Sequence, residues 1–315
     1  MITTVTLNPA LDKLYLINNF KPHKLHRLGD LIKVSTTPGG KGINVAVFLN
    51  RLGLDVSAMG FIGGHTGRIL EEMVRDEKII SNFIFVENDT RIDSSIVDEK
   101  NSTLTEINES GPPIFKEDID NFMERYERIL DDSELIIISG SIPPNTPTDI
   151  YARLIDIANN RKIKTILNTA RIPLEKGIEA GPTIVYPDMR SAYNLFDSKT
   201  ETLEDYVSLA KLIHSKNKNI ETVVFTNPLK NLYIASVEDR IYQISIENSK
   251  IVNLFGFGDA LVGGLVYALT KEEPTTEILR TGIAAGFVNM RSIKKQIANI
   301  EDINEAKSKI KIAEI

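Results

Sequence analysis

The chain has 315 residues, with 37 Lys and Arg against 43 Asp and Glu and a formal net charge of −6. At 42% hydrophobic and 25% charged its composition is globular, which excludes wholesale disorder. The acidic balance argues against sequence-independent nucleic-acid binding, and the lack of cysteine excludes disulfides, iron–sulfur clusters and thiol nucleophiles.

In chain order, the pattern predicts a strand at Thr3–Leu7, then a hairpin-like pair, Leu14–Ile17 with Leu31–Thr36. A helix follows over Gly42–Leu52, where Val45, Phe48, Leu49 and Leu52 fall at i, i+3, i+4 and i+7. Next come strand Val56–Ile62, helix Thr66–Glu77, strand Phe83–Val86 and a second pair, Arg91–Val97 with Ser102–Ile107. Beyond them lie helix Glu117–Leu130, strand Leu135–Ser139, helix Thr148–Asn159, and strands Lys164–Asn168 and Thr183–Val185. Helix Leu203–Ser215, strand Thr222–Thr226 and helices Asp259–Leu269 and Thr275–Met290 complete the pattern. Leu135–Ser139 is almost wholly apolar, as a parallel strand buried on both faces requires. Such alternation predicts right-handed βαβ crossovers and an open, mostly parallel sheet. The two strand pairs do not fit inside it, so they are expected to form a small accessory sheet: a lid, a dimer contact, or a plain surface excursion. The longest apolar run, Ala260 to Leu269, is about half a membrane span. No basic stretch precedes an apolar one at the N-terminus, so a cytoplasmic protein without a membrane partner is expected. The lysine-bearing runs Lys211–Lys218 and Lys294–Lys311 read as solvated helix faces, and the four histidines show no metal-ligand spacing.

Two glycine-rich segments stand out. Pro38-Gly39-Gly40-Lys41-Gly42-Ile43-Asn44 opens the first helix, where close backbone approach and unpaired N–H groups suit an anion or a polar sugar. It is not a Walker A loop, because Ser35 and Gly42 break that pattern. Lys41 and Asn44 are polar at the mouth of an apolar helix, where packing alone would not ask for them. In the second segment, Asn253-Leu-Phe-Gly256-Phe257-Gly258-Asp259, an acid opens a helix that is apolar on every face. Helix capping is one reading of that acid. The other is a base for an attacking hydroxyl beside amides that cradle a transferred phosphoryl group.

On these segments the chain resembles the PfkB/ribokinase family of carbohydrate kinases, nearest to its 1-phosphofructokinase and tagatose-6-phosphate kinase branch. Thr6-Leu-Asn-Pro-Ala-Leu-Asp12, Pro38-Gly-Gly-Lys-Gly-Ile-Asn-Val-Ala46 and Gly60-Phe-Ile-Gly-Gly-His-Thr-Gly67 carry the likeness. Thr90-Arg91, Ser139-Gly-Ser-Ile-Pro143 and Gly256-Phe-Gly-Asp259 extend it. The resemblance implies a ribokinase-like α/β fold: an open, mostly parallel sheet flanked by helices, in one domain over residues 1–315. A β-sheet lid at about 12–37 and 90–108 would form a subdomain and the contact of a homodimer. The implied activity is ATP- and Mg²⁺-dependent phosphorylation of a ketohexose phosphate, tagatose 6-phosphate or fructose 1-phosphate, to the bisphosphate. Asp259 would be the base, and the amides of Gly256, Phe257 and Gly258 the anion hole. Asp12, Gly39, Gly40, Lys41 and Asn44 would hold the sugar, with Arg91 on the phosphate that it already carries.

The nucleotide side departs from the family pattern. Asn-x-x-Glu reads Asp188-Met189-Arg190-Ser191, with Tyr186 where a lysine commonly stands two positions earlier. Asp-Thr-Ser-Gly reads Asn168-Thr169-Ala170-Arg171, and the nucleotide loop reads Thr226-Asn227-Pro228-Leu229-Lys230-Asn231. By the resemblance, Asp188, Thr226, Asn227 and Asn231 face ATP, Asp188 holds magnesium through water, and Arg171 or Arg190 replaces a lost cation. Retention of Asp259 favours an enzyme. The glutamate lost at Ser191 favours the alternative, a catalytically weak sugar-phosphate-binding regulator on the same fold.

Overall fold

The computed structural model describes residues 1–28, 34–189, 194–247, 254, 256–291 and 299–315. The chain begins with β1 (Ile2–Val5), β2 (Ala10–Leu16), β3 (Val34–Gly39) and α1 (Lys41–Arg51). It continues with β4 (Val56–Met59), β5 (Phe61–Gly63), α2 (Gly64–Asp76), β6 (Ile80–Ser81), β7 (Ile84–Val86), β8 (Arg91–Asp98) and β9 (Thr103–Asn108). After α3 (Lys116–Ile129) come β10 (Leu135–Ser139), α4 (Ile150–Asn160), β11 (Lys164–Asn168), α5 (Arg171–Glu179) and β12 (Ile184–Val185). Then follow α6 (Leu203–Lys216), β13 (Thr222–Asn227), β14 (Leu232–Val237), β15 (Arg240–Ile246), α7 (Phe257–Thr270), α8 (Thr275–Met290), α9 (Ile300–Lys307) and β16 (Ile310–Glu314).

Among the described residues ten strands form the main sheet in the order β16-β15-β14-β13-β12-β11-β10-β1-β4-β6, parallel from β13 to β6 and antiparallel from β13 to β16. Strand β10 shows why it is central: Leu135 and Ile137 enter one apolar layer, Ile136 and Ile138 the other. The first layer holds α1, α7 and α8, and the second α3, α4, α5 and α6. Period-2 alternation of apolar residues on both faces demands such a helix layer on each side. Helices α7 and α8 lie unusually close, since a Cβ at Gly264 would stand 2.7 Å from both Ala285 Cβ and Thr281 O.

The predicted lid pairs form one four-stranded sheet, β3-β2-β8-β9, in which parallel pairing of β2 with β8 joins the two antiparallel hairpins. Residues 31–33 of the first predicted pair lie outside the described residues. Three differences from the sequence reading are physical. The expected strand Val56–Ile62 splits at Gly60, which passes against the main chain of Thr6, where a Cβ would sit 1.9 Å from the carbonyl oxygen. Its second part, β5, pairs with β7 in a separate two-stranded sheet. Helix α5 and the antiparallel edge β14–β16 were not expected; the basic tail contains helix α9, as read, but ends in strand β16. No helix among the described residues is long and apolar enough to cross a membrane.

Candidate active site

The site gathers where the parallel strands end, at the carboxyl edge on which open α/β sheets bind ligands. Strand β3 delivers Gly39 and Gly40 to the start of α1. Gly40 has φ 104°, and a Cβ there would press on Thr6 Cγ2 at 2.8 Å, so this turn needs glycine. At Gly39 a Cβ would lie 2.2 Å from Asp12 Cγ, so its absence leaves room for the Asp12 carboxyl beside the loop. Asp12 is 9% exposed.

Helix α7 starts from Gly256, in the left-handed region at φ 64°. Asp259 sits in its first turn, 9% exposed, where the helix N-terminus favours negative charge. Asn44 Nδ2 donates to Asp259 Oδ2 at 2.7 Å. Close contact of α1 with α7 makes this pairing possible: a Cβ at Gly263 would strike the Phe48 ring at 2.3 Å. Polar residues from both glycine segments therefore meet at one point, with Asn44 orienting the carboxylate.

Beside Asp259 opens a cleft of ≈ 330 Å³, lined among others by Lys41, Tyr186, Asp188, Thr226, Asn227 and Leu229. Gly256, Phe257 and Gly258 also line it. Tyr186 and Thr226 hydroxyls bond at 2.9 Å, Asn168 Nδ2 donates to the Tyr186 carbonyl at 2.9 Å, and the Asp188 N–H donates to Thr169 O at 2.9 Å. Gly258 passes beneath the tyrosine ring, where a Cβ would stand 3.0 Å from Cε1. Lys41 reaches across to Asp188, Nζ to Oδ2 2.7 Å, with the two side chains 23% and 14% exposed. Among the described residues no group of three His, Cys, Asp or Glu is arranged to hold a metal.

Several expected residues have contacts that the sequence does not announce. Lys41, expected to hold the sugar, lines the cleft and pairs with Asp188. Phe257 has a ring buried against Tyr233 and against Gly286, and its N–H bonds to Leu254 O at 3.3 Å; that amide closes a turn instead of standing open. Asn231 does not line the cleft: it takes a left-handed turn (φ 47°) and donates from Nδ2 to Ile246 O at 3.3 Å. Arg91 is held within the lid root. Its Nε and Nη2 donate to Asn8 O (3.2 and 3.1 Å), and its Nη1 to Asp93 Oδ1 (2.9 Å) and Glu109 O (3.0 Å). Arg171 begins α5, exposed and off the cleft, and Arg190 and Ser191 lie outside the described residues. Sequence reading missed Asp93 and Glu109. Asp93 was open to detection, because two positions along a strand from Arg91 it must share that residue's face.

Residues 13–302 match the family described as pfkB family carbohydrate kinase. The fold is also similar to solved structures. One, a possible 1-phosphofructokinase from Thermotoga maritima, is 33% identical, with 100% of this chain and 99% of that chain covered and a TM-score of 0.94. Phosphofructokinase-2 from Escherichia coli, solved with fructose-6-phosphate, is 22% identical over 98% of each chain at a TM-score of 0.85, a likeness of fold. So is that to ribokinase from Arabidopsis thaliana complexed with ribose and ATP, 17% identical over 97% of this chain and 98% of that one, TM-score 0.75.

Proposed function

We propose that this chain, which belongs to the pfkB family of carbohydrate kinases and is a sugar kinase, transfers the γ-phosphoryl group of ATP to a hydroxyl of a ketohexose phosphate. The observation that carries the reading is the Asn44–Asp259 contact, which sets a carboxylate between the glycine turn after the lid and the open cleft. The cleft takes the nucleotide, and the Asp12 side takes the sugar. Fructose 1-phosphate and tagatose 6-phosphate are the acceptors to test first.

Asp259 accepts the proton of the attacking hydroxyl while Asn44 holds Oδ2, so the carboxylate cannot swing away. As that proton leaves, the hydroxyl oxygen bonds to the γ-phosphorus and the bond to the β,γ-bridging oxygen breaks, releasing ADP. Lys41 stands in the cleft beside Gly256 and Gly258, where an ammonium and main-chain donors neutralise charge on the group in transit. Closure of the lid excludes the water that would otherwise hydrolyse ATP. Magnesium keeps several waters and needs only one or two carboxylates besides phosphate oxygens, so Asp188, a cleft carboxylate other than the base Asp259, fits that donor set. When bound there, the ion would supply charge neutralisation on the phosphates. We place a homodimer contact on the lid face opposite Asp12, where Tyr15 pairs in register with Val34 and Ile96, and Ile107, two residues from the Ile96 partner Thr105, shares the face and is 58% exposed.

A coupled assay of ADP release tests the function over fructose 1-phosphate, tagatose 6-phosphate, fructose 6-phosphate and unphosphorylated fructose. Turnover of one or more of the phosphates is expected. Turnover of free fructose alone would overturn the assignment.

A further inference from the structure

We propose that Asp93 sets the affinity of this kinase for a phosphorylated sugar, by holding its carboxylate on the Arg91 guanidinium against the incoming phosphate. The inference rests on the reading of the acceptor as a sugar phosphate bound through Arg91. Arg91 and Asp93 lie two residues apart on β8, so both point to one face of the lid sheet. Asp12 is the β2 partner of Asp93 in register, and Ala10, the partner of Arg91, also pairs with Gly39. That face is therefore the one carrying Asp12 and leading into the glycine turn.

The partners of the Arg91 guanidinium are of two kinds. Asn8 O takes Nε and Nη2, and Glu109 O takes Nη1, all through neutral main-chain oxygens. Asp93 Oδ1 is the charged partner, at 2.9 Å from Nη1, with side chains only 12% and 15% exposed. The same oxygen also accepts the Glu109 N–H at 3.2 Å, while Glu109 Oε2 accepts the Ile92 N–H at 2.9 Å. The root of the lid thus carries Asp12 and Asp93 side by side in register, with Asp93 the carboxylate on the guanidinium. A phosphate that takes Nη1 must displace either the Asp93 carboxylate or the Glu109 carbonyl, and in either case it is repelled by the Asp93 carboxylate as it arrives. Nε and Nη2 keep their hold on Asn8 O throughout, so the exchange needs no movement of the arginine backbone. Like charge close to a desolvated anion is a strong selector against it. Asp93 therefore acts as a specificity-determining residue: it holds phosphate affinity down and leaves recognition of the sugar hydroxyls alone.

Asp93→Asn separates these effects, because the amide oxygen still accepts from Nη1 and from the Glu109 N–H while the charge is gone. Calorimetric titration without nucleotide, using fructose 1-phosphate, tagatose 6-phosphate and free fructose, reads the result. The sugar phosphates should bind about tenfold more tightly to Asp93→Asn, with fructose unchanged. Thermal melting checks the fold, and Asp93→Ser repeats the test if the Asn variant melts early. Arg91→Ala runs beside them. If it weakens the sugar phosphates while both Asp93 variants bind them no more tightly than the parent, the Arg91 reading stands and the role of Asp93 is overturned. If Arg91→Ala leaves their binding unchanged, the underlying reading fails and this inference fails with it. Equal tightening of fructose and of its phosphate would also overturn it.

Discussion

Asp259 has its place through two neighbours: the left-handed Gly256 that starts its helix, and Asn44, which fixes one carboxylate oxygen at 2.7 Å. Asp259→Asn keeps the shape but cannot take a proton. Turnover should fall by about 10²–10⁴-fold, the usual worth of a positioned base, with sugar binding nearly intact. Steady-state rates beside a binding titration check it, and turnover within threefold of the parent would refute the role. Asp188 is bound to Lys41 and lines the nucleotide cleft, so it is the carboxylate on hand to order the waters of a metal ion. Asp188→Asn should raise the magnesium concentration giving half-maximal rate several-fold. An unchanged or lower half-saturation would remove Asp188 from that task.

The lid depends on a carboxylate far from the chemistry. Asp98, at the end of β8 and 2% exposed, accepts main-chain bonds from Asn19, Phe20, Lys100 and Asn101 and the side-chain amide of Asn101. It thereby ties the segment after β2 to the β8–β9 turn. Burial works against its charge, but the bonds from Asn101, Asn19 and Phe20 outweigh that and hold its pKa at about 2. An unfolded aspartate titrates near ~3.9. The folded value is the lower, so its contribution to stability is fully present above about pH 4 and is lost as pH falls through about 2. Asp98→Asn should therefore melt below the parent at pH 7, and the gap should close between about pH 4 and 2. A gap that persists unchanged at pH 2 would show that the anion is not what anchors the lid.

At the scale of the molecule, the main sheet has helices on both faces, whereas the lid sheet carries apolar side chains on its far face with no helix over them among the described residues. Val34 and Ile107 are 37% and 58% exposed there. A second copy is the occupant proposed for that face. Sedimentation velocity at micromolar concentration should show a dimer, and Val34→Glu with Ile107→Glu should shift it to monomer by burying unpaired charge at the contact. A parent protein that is monomeric at tens of micromolar would refute the interface.

Local pattern was enough for most elements because burial imposes its period on the chain directly. Strand Leu135–Ser139 and helix Thr275–Met290 have in the structure the limits that their apolar spacing predicts. Glycines next to polar residues likewise marked the Gly39–Asn44 and Gly256–Asp259 segments, since close backbone approach can be read from residue type. Strands β14 and β15 form a local hairpin that the sequence reading passed over, whereas β16 escaped because it returns from a distant part of the chain, and no local signal says that Tyr242 will meet Glu314. The attachments of the site's charges were equally hidden. Arg91 grips the carbonyls of Asn8 and Glu109, which any residue could present, and Lys41 finds Asp188 only once β12 lies beside β11. Sequence alone therefore determined most of the elements and where glycine and acid coincide. Which charge faces which partner was decided by tertiary packing, because a guanidinium or an ammonium pairs with whatever oxygen the fold brings within reach.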